Sequence, residues 1–331
     1  MKEKHCWQFI YDCLRQNRTV ALLIVVDREG STPGRVGFKM AVAEDGTLLG
    51  TIGGGAIEHR LVNQARTKLK HRDFSPLWQR LIHHKAATIN TNHSGMICGG
   101  TQTVVLYPCQ TGDLVTITEL LQSLENPVSG KLCISQAGIS FLPKQPQAET
   151  YQCRFESEYE WLYEETVGLI NTAYIIGGGH VGWALSRILA MLDFHIIVLD
   201  ERPEVSTFKH NTEAHEKITV SYKAIRQHIP EGNQNYVVIM TPTYQADELV
   251  LRQLLDKKLR YLGMIGSATK INQIIQSLQQ EDIFPEKLPH FHAPIGLPIG
   301  SHTPVEIAVS IAAEFIQVKN TATDTQEHPD T

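Results

Sequence analysis

The strongest constraint on this chain is the run Gly177-Gly178-Gly179-His180-Val181-Gly182, because of what flanks it. Ahead of it, Ala173 to Ile176 is a short apolar run, the pattern of a strand covered on both faces. After it, Trp183 to Leu192 reads as a helix, and a second apolar strand, His195 to Leu199, ends at Asp200. In such a strand–bend–helix unit the first glycine permits a tight turn and the second lets the backbone approach a diphosphate. The third lets the helix pack on the sheet, and the phosphate rests against unpaired N–H groups at the helix's positive end. Asp200 stands where an acid holds ribose hydroxyls. Its charge disfavours a 2′-phosphate while nearby Arg202 favours one, so NAD and NADP both stay open. The plainer reading is a packed turn with no ligand.

Further short apolar strands, Tyr236 to Met240 and Tyr261 to Ile265, alternate with helical segments. That alternation predicts an α/β fold, with a Rossmann-like doubly wound parallel sheet over residues 171–318. Ligands in such sheets bind beyond the carboxyl ends of the strands, where Thr241 follows Met240 and Gly266-Ser267 follows Ile265. The candidate crevice therefore comprises Gly177, Gly178, Gly179, His180, Val181, Gly182, Asp200, Thr241, Gly266 and Ser267. No obvious acid–base pair accompanies them, so no catalytic residue is assigned. Thr303, Pro304 and Glu306 form a capping-box start for the last helix. The polar, aperiodic residues 319–331 read as a disordered tail.

Residues 1–145 read as an N-terminal α/β domain. Val20 to Val26 is a strand with both faces covered, and Gly30 to Gly37 is a loop. Phe38 to Val42 and Leu48 to Ile52 form a hairpin about Asp45-Gly46. Gly53-Gly54-Gly55 then launches a helix and repeats the anion-binding device of exposed amides at a helix start. Glu58 falls in its first turn and on the simpler reading offsets the helix dipole. Arg35 reads equally as a ligand contact or a solvated charge. Cys98-Gly99-Gly100 places a thiol beside two glycines, open to a ligand or sulfur donor; a buried inert thiol fits as well. The polar, Pro-containing and acidic stretch 146–170 reads as a linker region.

The formal net charge is −5, which predicts no broadly basic face and hence no nucleic-acid or membrane partner. No apolar run approaches the ~20 residues that cross a bilayer, and the N-terminus lacks a signal-peptide core. Six cysteines without a C-x-x-C pair read as reduced thiols of a cytoplasmic protein. The adjacent His83 and His84 make a poor chelate, so no metal site is expected.

Taken together, these residues resemble the XdhC/CoxI family, the accessory proteins of xanthine dehydrogenase and related molybdenum hydroxylases. The first half carries GSTPGRVGFKMAV, GTIGGGAIEHR and ICGG. The second carries YIIGGGHVGWAL, VLDERPE, YLGMIGS and HAPIGLPIGSHTPVEIAVSIAAEFI. The resemblance implies a maturation factor that binds the molybdenum cofactor (molybdopterin) while its terminal sulfur is installed, then assists its insertion. Implied partners are the hydroxylase large subunit and a cysteine desulfurase; a homodimer is expected from common oligomer symmetry. An NAD(P)-dependent oxidoreductase and a nucleotide-sensing module are the competing readings. Two departures matter. This chain has Pro242 to Ala246 where relatives often place histidines, and Ala268-Thr269 where they often place arginine, removing polar groups from the crevice edge.

Overall fold

A computed structural model describes residues 2–83, 99–125, 129–143, 151–168 and 171–327. The chain divides into two compact units, Met1–Leu169 and Ile170–Thr331.

The first unit runs α1 (Lys2–Arg15), β1 (Val20–Gly30), β2 (Lys39–Ala43), β3 (Leu48–Gly50), α2 (Gly55–Lys70), β4 (Leu77–His83), β5 (Gly100–Cys109) and α3 (Leu114–Glu125). Four more strands follow: β6 (Gly130–Ser135), β7 (Gly138–Pro143), β8 (Tyr151–Ser157) and β9 (Glu160–Val167). They build two antiparallel sheets, ordered β3-β2-β1-β5-β4 and β7-β6-β9-β8. Strand β1 lies at the centre of the first sheet, and its continuous apolar run serves both faces. Ala21, Leu23 and Val25 pack with Ile57, Leu61 and Leu69 of α2. Leu22, Ile24 and Val26 pack with Trp7 and Ile10 of α1 and with Leu132 and Trp161 of the second sheet.

Residues 151–167, read from sequence within a linker, are instead an antiparallel pair. Inward-facing Trp161, Tyr163, Glu165 and Val167 alternate along β9, but the glutamate interrupts the apolar pattern. Glu165 is buried against Lys39 of β2, whose Nζ lies 2.6 Å from it and 2.9 Å from Glu3 of α1. The Tyr163 hydroxyl donates to Glu165 at 2.9 Å. This group ties the two sheets together, since neither charge has water to turn to. Cys6, Cys13 and Cys109 are buried and unbridged, and burial pushes the Cys6 thiol up to about 12.

The second unit runs β10 (Thr172–Ile176), α4 (His180–Met191), β11 (His195–Asp200), α5 (Ser206–Lys209), β12 (Glu216–Thr219), β13 (Gly232–Ile239) and α6 (Tyr244–Leu254). It continues with β14 (Leu259–Met264), α7 (Ala268–Gln279), β15 (Phe291–His292) and α8 (Pro304–Glu327). The parallel sheet has the order β12-β11-β10-β13-β14-β15. In chain order within the unit that is 3-2-1-4-5-6, the doubly wound dinucleotide-binding order, whose switch point lies between β10 and β13. Ala173 and Ile175 face α4 and α8, while Tyr174 and Ile176 face α6 and α7. Glu306 and Thr303 form the reciprocal box at the start of α8, with Thr303 N donating to Glu306 Oε2 at 3.0 Å and Glu306 N to Thr303 Oγ1 at 3.3 Å. The helix extends to Glu327, into the tail read as disordered. Among the described residues no helix is long and apolar enough to cross a membrane.

Candidate functional site

At the switch point of the second unit, the glycine loop is held by both neighbouring strands. Gly177 donates to Leu199 O at 2.8 Å, and its φ of 117° is one that only glycine adopts freely. A Cβ there would stand 2.2 Å from Met240 O, and one on Gly182 would stand 2.4 Å from Gly177 O. These two glycines let the loop meet β13 and let α4 close on β10.

Gly178 departs from the expectation. Its amide does not stand free for a diphosphate; it donates to Asp200 Oδ2 at 2.7 Å. Its carbonyl accepts from Thr207 Oγ1 at 2.5 Å, and an added Cβ would lie 2.6 Å from Phe208 Cβ, so α5 covers it. Asp200 is likewise occupied rather than poised for ribose. The fully buried carboxylate also accepts from Arg202 N (2.9 Å), Nε (3.0 Å) and Nη2 (2.9 Å), and from the Tyr222 hydroxyl (3.1 Å). Burial alone would push this carboxyl up. The Arg202 guanidinium and the Gly178 amide outweigh it and hold the group below the usual carboxylate range.

Past that clasp the loop opens. A Cβ on Gly179 would meet nothing within 4 Å, His180 is exposed, and Val181 is half-buried. The first-turn amides of His180 and Val181 have no acceptor among the described residues, as the start of any helix requires. Beside them, Thr241 donates through N and Oγ1 to Asp247 Oδ1 at 2.8 and 2.6 Å. Asp247 is fully buried and pairs with Lys270, which also donates to Ile265 O at 3.2 Å. Lys270 packs over Gly266, and Ser267 caps α7 by accepting from Lys270 N at 3.3 Å. Lys270, the residue after Ala268-Thr269, is thus the cation at this helix start, and it is spent on the buried Asp247.

The first unit repeats this outcome by local means. Glu58 Oε2 accepts from Gly54 N at 3.0 Å, Ile52 N at 2.9 Å and Thr51 Oγ1 at 2.6 Å. The amide of Gly53 donates to Thr51 Oγ1 at 3.1 Å. Glu58 therefore offsets the helix start and also fills part of the bend. Gly54 has open space where a Cβ would be, and the amides of Gly55 and Ala56 have no acceptor among the described residues.

Three glycine loops converge here. A Cβ on Gly53 would lie 2.6 Å from Gly34 N, and one on Gly100 would lie 2.5 Å from Glu29 O, opposite Gly30. Buried Gln102 bridges them, accepting from Gly34 N at 3.1 Å and donating to Ile52 O at 2.9 Å. Gly99 is open and exposed, as is the side chain of Arg35. Cys98 lies outside the described residues. Sequence reasoning passed over Gln102, Tyr222, Thr207, Phe208, Asp247 and Lys270. Nothing local marks them, because each acts through a partner at least 20 residues away or, like Lys270 and Asp247, through a buried pair.

A profile of the XdhC Rossmann domain matches residues 173–315, and one of the XdhC and CoxI family matches residues 13–75. The uncharacterized protein YqeB of Escherichia coli K12 is 27% identical over 311 residues, 93% of this chain and 45% of that protein. A probable xanthine dehydrogenase subunit of Bacillus subtilis is 30% identical over 145 residues, 44% of this chain and 42% of that protein. The chain thus spans less than half the length of these curated relatives. A crystal structure of a xanthine dehydrogenase from Bacillus halodurans has the same fold, with a TM-score of 0.72 at 23% identity, covering 95% of this chain and 96% of that one. With a family profile matching in each of its two units, the chain belongs to the XdhC and CoxI family.

Proposed function

We propose that this protein serves the maturation of a xanthine dehydrogenase-type molybdenum hydroxylase, and does so by carrying the molybdenum cofactor rather than by turning over a metabolite. The observation that supports the reading most is the open approach to the amides of His180 and Val181 beside Gly179. An anionic phosphate of the cofactor, or of its nucleotide extension, is stabilised at such a helix start. The surrounding ionisable groups favour binding over chemistry. Asp200 is committed to Arg202 and Tyr222, and Asp247 to Lys270 and Thr241, so neither carboxylate is placed to move a proton. The exposed amides of Gly55 and Ala56 offer a second phosphate seat in the first unit, weakened by the adjacent Glu58 charge.

The dinucleotide strand order supports one competing reading, an NAD(P)-dependent oxidoreductase. A single experiment separates the two. The full chain is incubated anaerobically with molybdopterin released from a hydroxylase, then passed over gel filtration with pterin fluorescence recorded. Co-elution of pterin with the protein, abolished by Gly179→Asp, is the expected result. Pterin eluting apart, together with turnover of NADH or NADPH against carbonyl substrates, overturns it.

A further inference from the structure

The chain is acidic overall, yet helix α2 is not. From His59 through Arg72, two residues past its end, the chain carries Arg60, Arg66, Lys68, Lys70 and Arg72 and no carboxylate. The inward stripe of Ile57, Leu61, Ala65 and Leu69 is buried on the first sheet, which turns most of these cations outward. Two adjoining depressions follow the helix and share Asn63 and Thr67. One, of about 700 Å³, is lined by Arg66, Lys70 and Arg72 together with Glu44; the other, of about 510 Å³, by His59, Arg60, Gln64 and Lys68. Lys68 pairs with Asp73, and Glu44 accepts from Thr19. Arg60, Arg66, Lys70 and Arg72 have no carboxylate partner among the described residues.

Arg60 is the half-buried arginine of this set. Its Nε and Nη2 are buried with no hydrogen-bond partner. That edge of the guanidinium is closed to solvent, so a docked carboxylate meets Arg60 as a charge at the wall of the depression. The remaining cations, Arg66 to Lys70 with Arg60, spread over about 15 Å at ~1.5 Å per residue, further than one phosphate group reaches. Among the described residues no Phe, Tyr or Trp lines either depression, so none of them stacks a nucleobase there.

We propose that the exposed face of α2, with the turn that follows it, docks an acidic segment of a partner protein, with Arg60, Arg66, Lys70 and Arg72 as its electrostatic track. This surface is independent of the cofactor reading, and its test involves no cofactor. Fluorescein-labelled deca-glutamate is titrated with the full chain and followed by anisotropy at about 50 mM and about 300 mM NaCl, with deca-glutamine and deca-thymidylate as comparison probes. Deca-glutamate is expected to bind about tenfold or more tightly than deca-glutamine at the lower salt, and to weaken at the higher. The triple charge reversal Arg66→Glu, Lys70→Glu, Arg72→Glu is expected to lose about tenfold, from several pairs each of modest strength. Equal affinity for the two peptides, tighter binding of deca-thymidylate, or unchanged binding by the folded triple variant overturns the docking surface.

Discussion

The two glycine bends of this protein face the same physical problem and solve it over different distances. Each opens a helix with amides that lack an intrahelical acceptor, and each binds one of the bend amides with a carboxylate of its own chain. In the first unit the carboxylate is Glu58, four residues along the same helix from Gly54. In the second it is Asp200, delivered by the neighbouring strand 22 residues from Gly178 and itself clasped by Arg202 and Tyr222. The local device neutralises a bend. The long-range device couples the bend to strand β11, helix α5 and the segment carrying Tyr222, so the glycine loop reports on the packing of half the unit.

Breaking the long-range clasp has the largest expected effect. Asp200→Ala leaves Arg202, the Tyr222 hydroxyl and the Gly178 amide without their acceptor, and is expected to cost about 3 kcal/mol or more, read by urea unfolding. The same carboxyl sets an acid dependence. Because its folded value is depressed, its contribution is present above the unfolded value of ~3.9 and is lost as pH falls through the folded value. Asp113 of the first unit works in the opposite direction, since burial raises its carboxyl and acid relieves that penalty. Acid titration followed by tryptophan fluorescence should therefore lose its low-pH destabilising component in Asp200→Asn; an unchanged acid limb would remove Asp200 from the account.

A sharper test lies within one loop. Gly182→Ala drives a methyl against Gly177 O and is expected to cost about 1–3 kcal/mol of stability. Gly179→Ala meets open space and is expected to leave the thermal midpoint within about 1–2 °C, from a change of no more than ~0.5 kcal/mol. The local device is expected to matter less than the clasp. Glu58→Gln keeps an acceptor but removes the charge, and about 1 kcal/mol is expected to be lost. It should also make the protein's melting temperature rise more with added sulfate than the parent's does, because the freed helix start then favours an anion. An identical sulfate response in both proteins would make Glu58 a structural cap alone.

How much of this was legible beforehand differs by element. Strand β1, the β10–α4–β11 unit and the capping box of α8 were readable because their signals are local: a run, a motif with its flanks, or a reciprocal pair three residues apart. Residues 151–167 were not, because β8 is largely exposed and β9 places Glu165 where the alternation calls for an apolar residue. The tie of Glu165 to Lys39 exists only once two sheets have met. Net charge, by contrast, speaks only of the whole: a total of −5 predicted no broadly basic face and carries no information on the local group of cations along α2.

Sequence alone determined the order of motifs, the parallel sheet and the positions of the bends, because periodicity and glycine placement act over a few residues at a time. Only tertiary structure decided which amides remain open. Asp200 and Asp247 reach their partners through close packing, and a carboxylate buried beside an N–H or a cation must bind it or be left desolvated and unpaired.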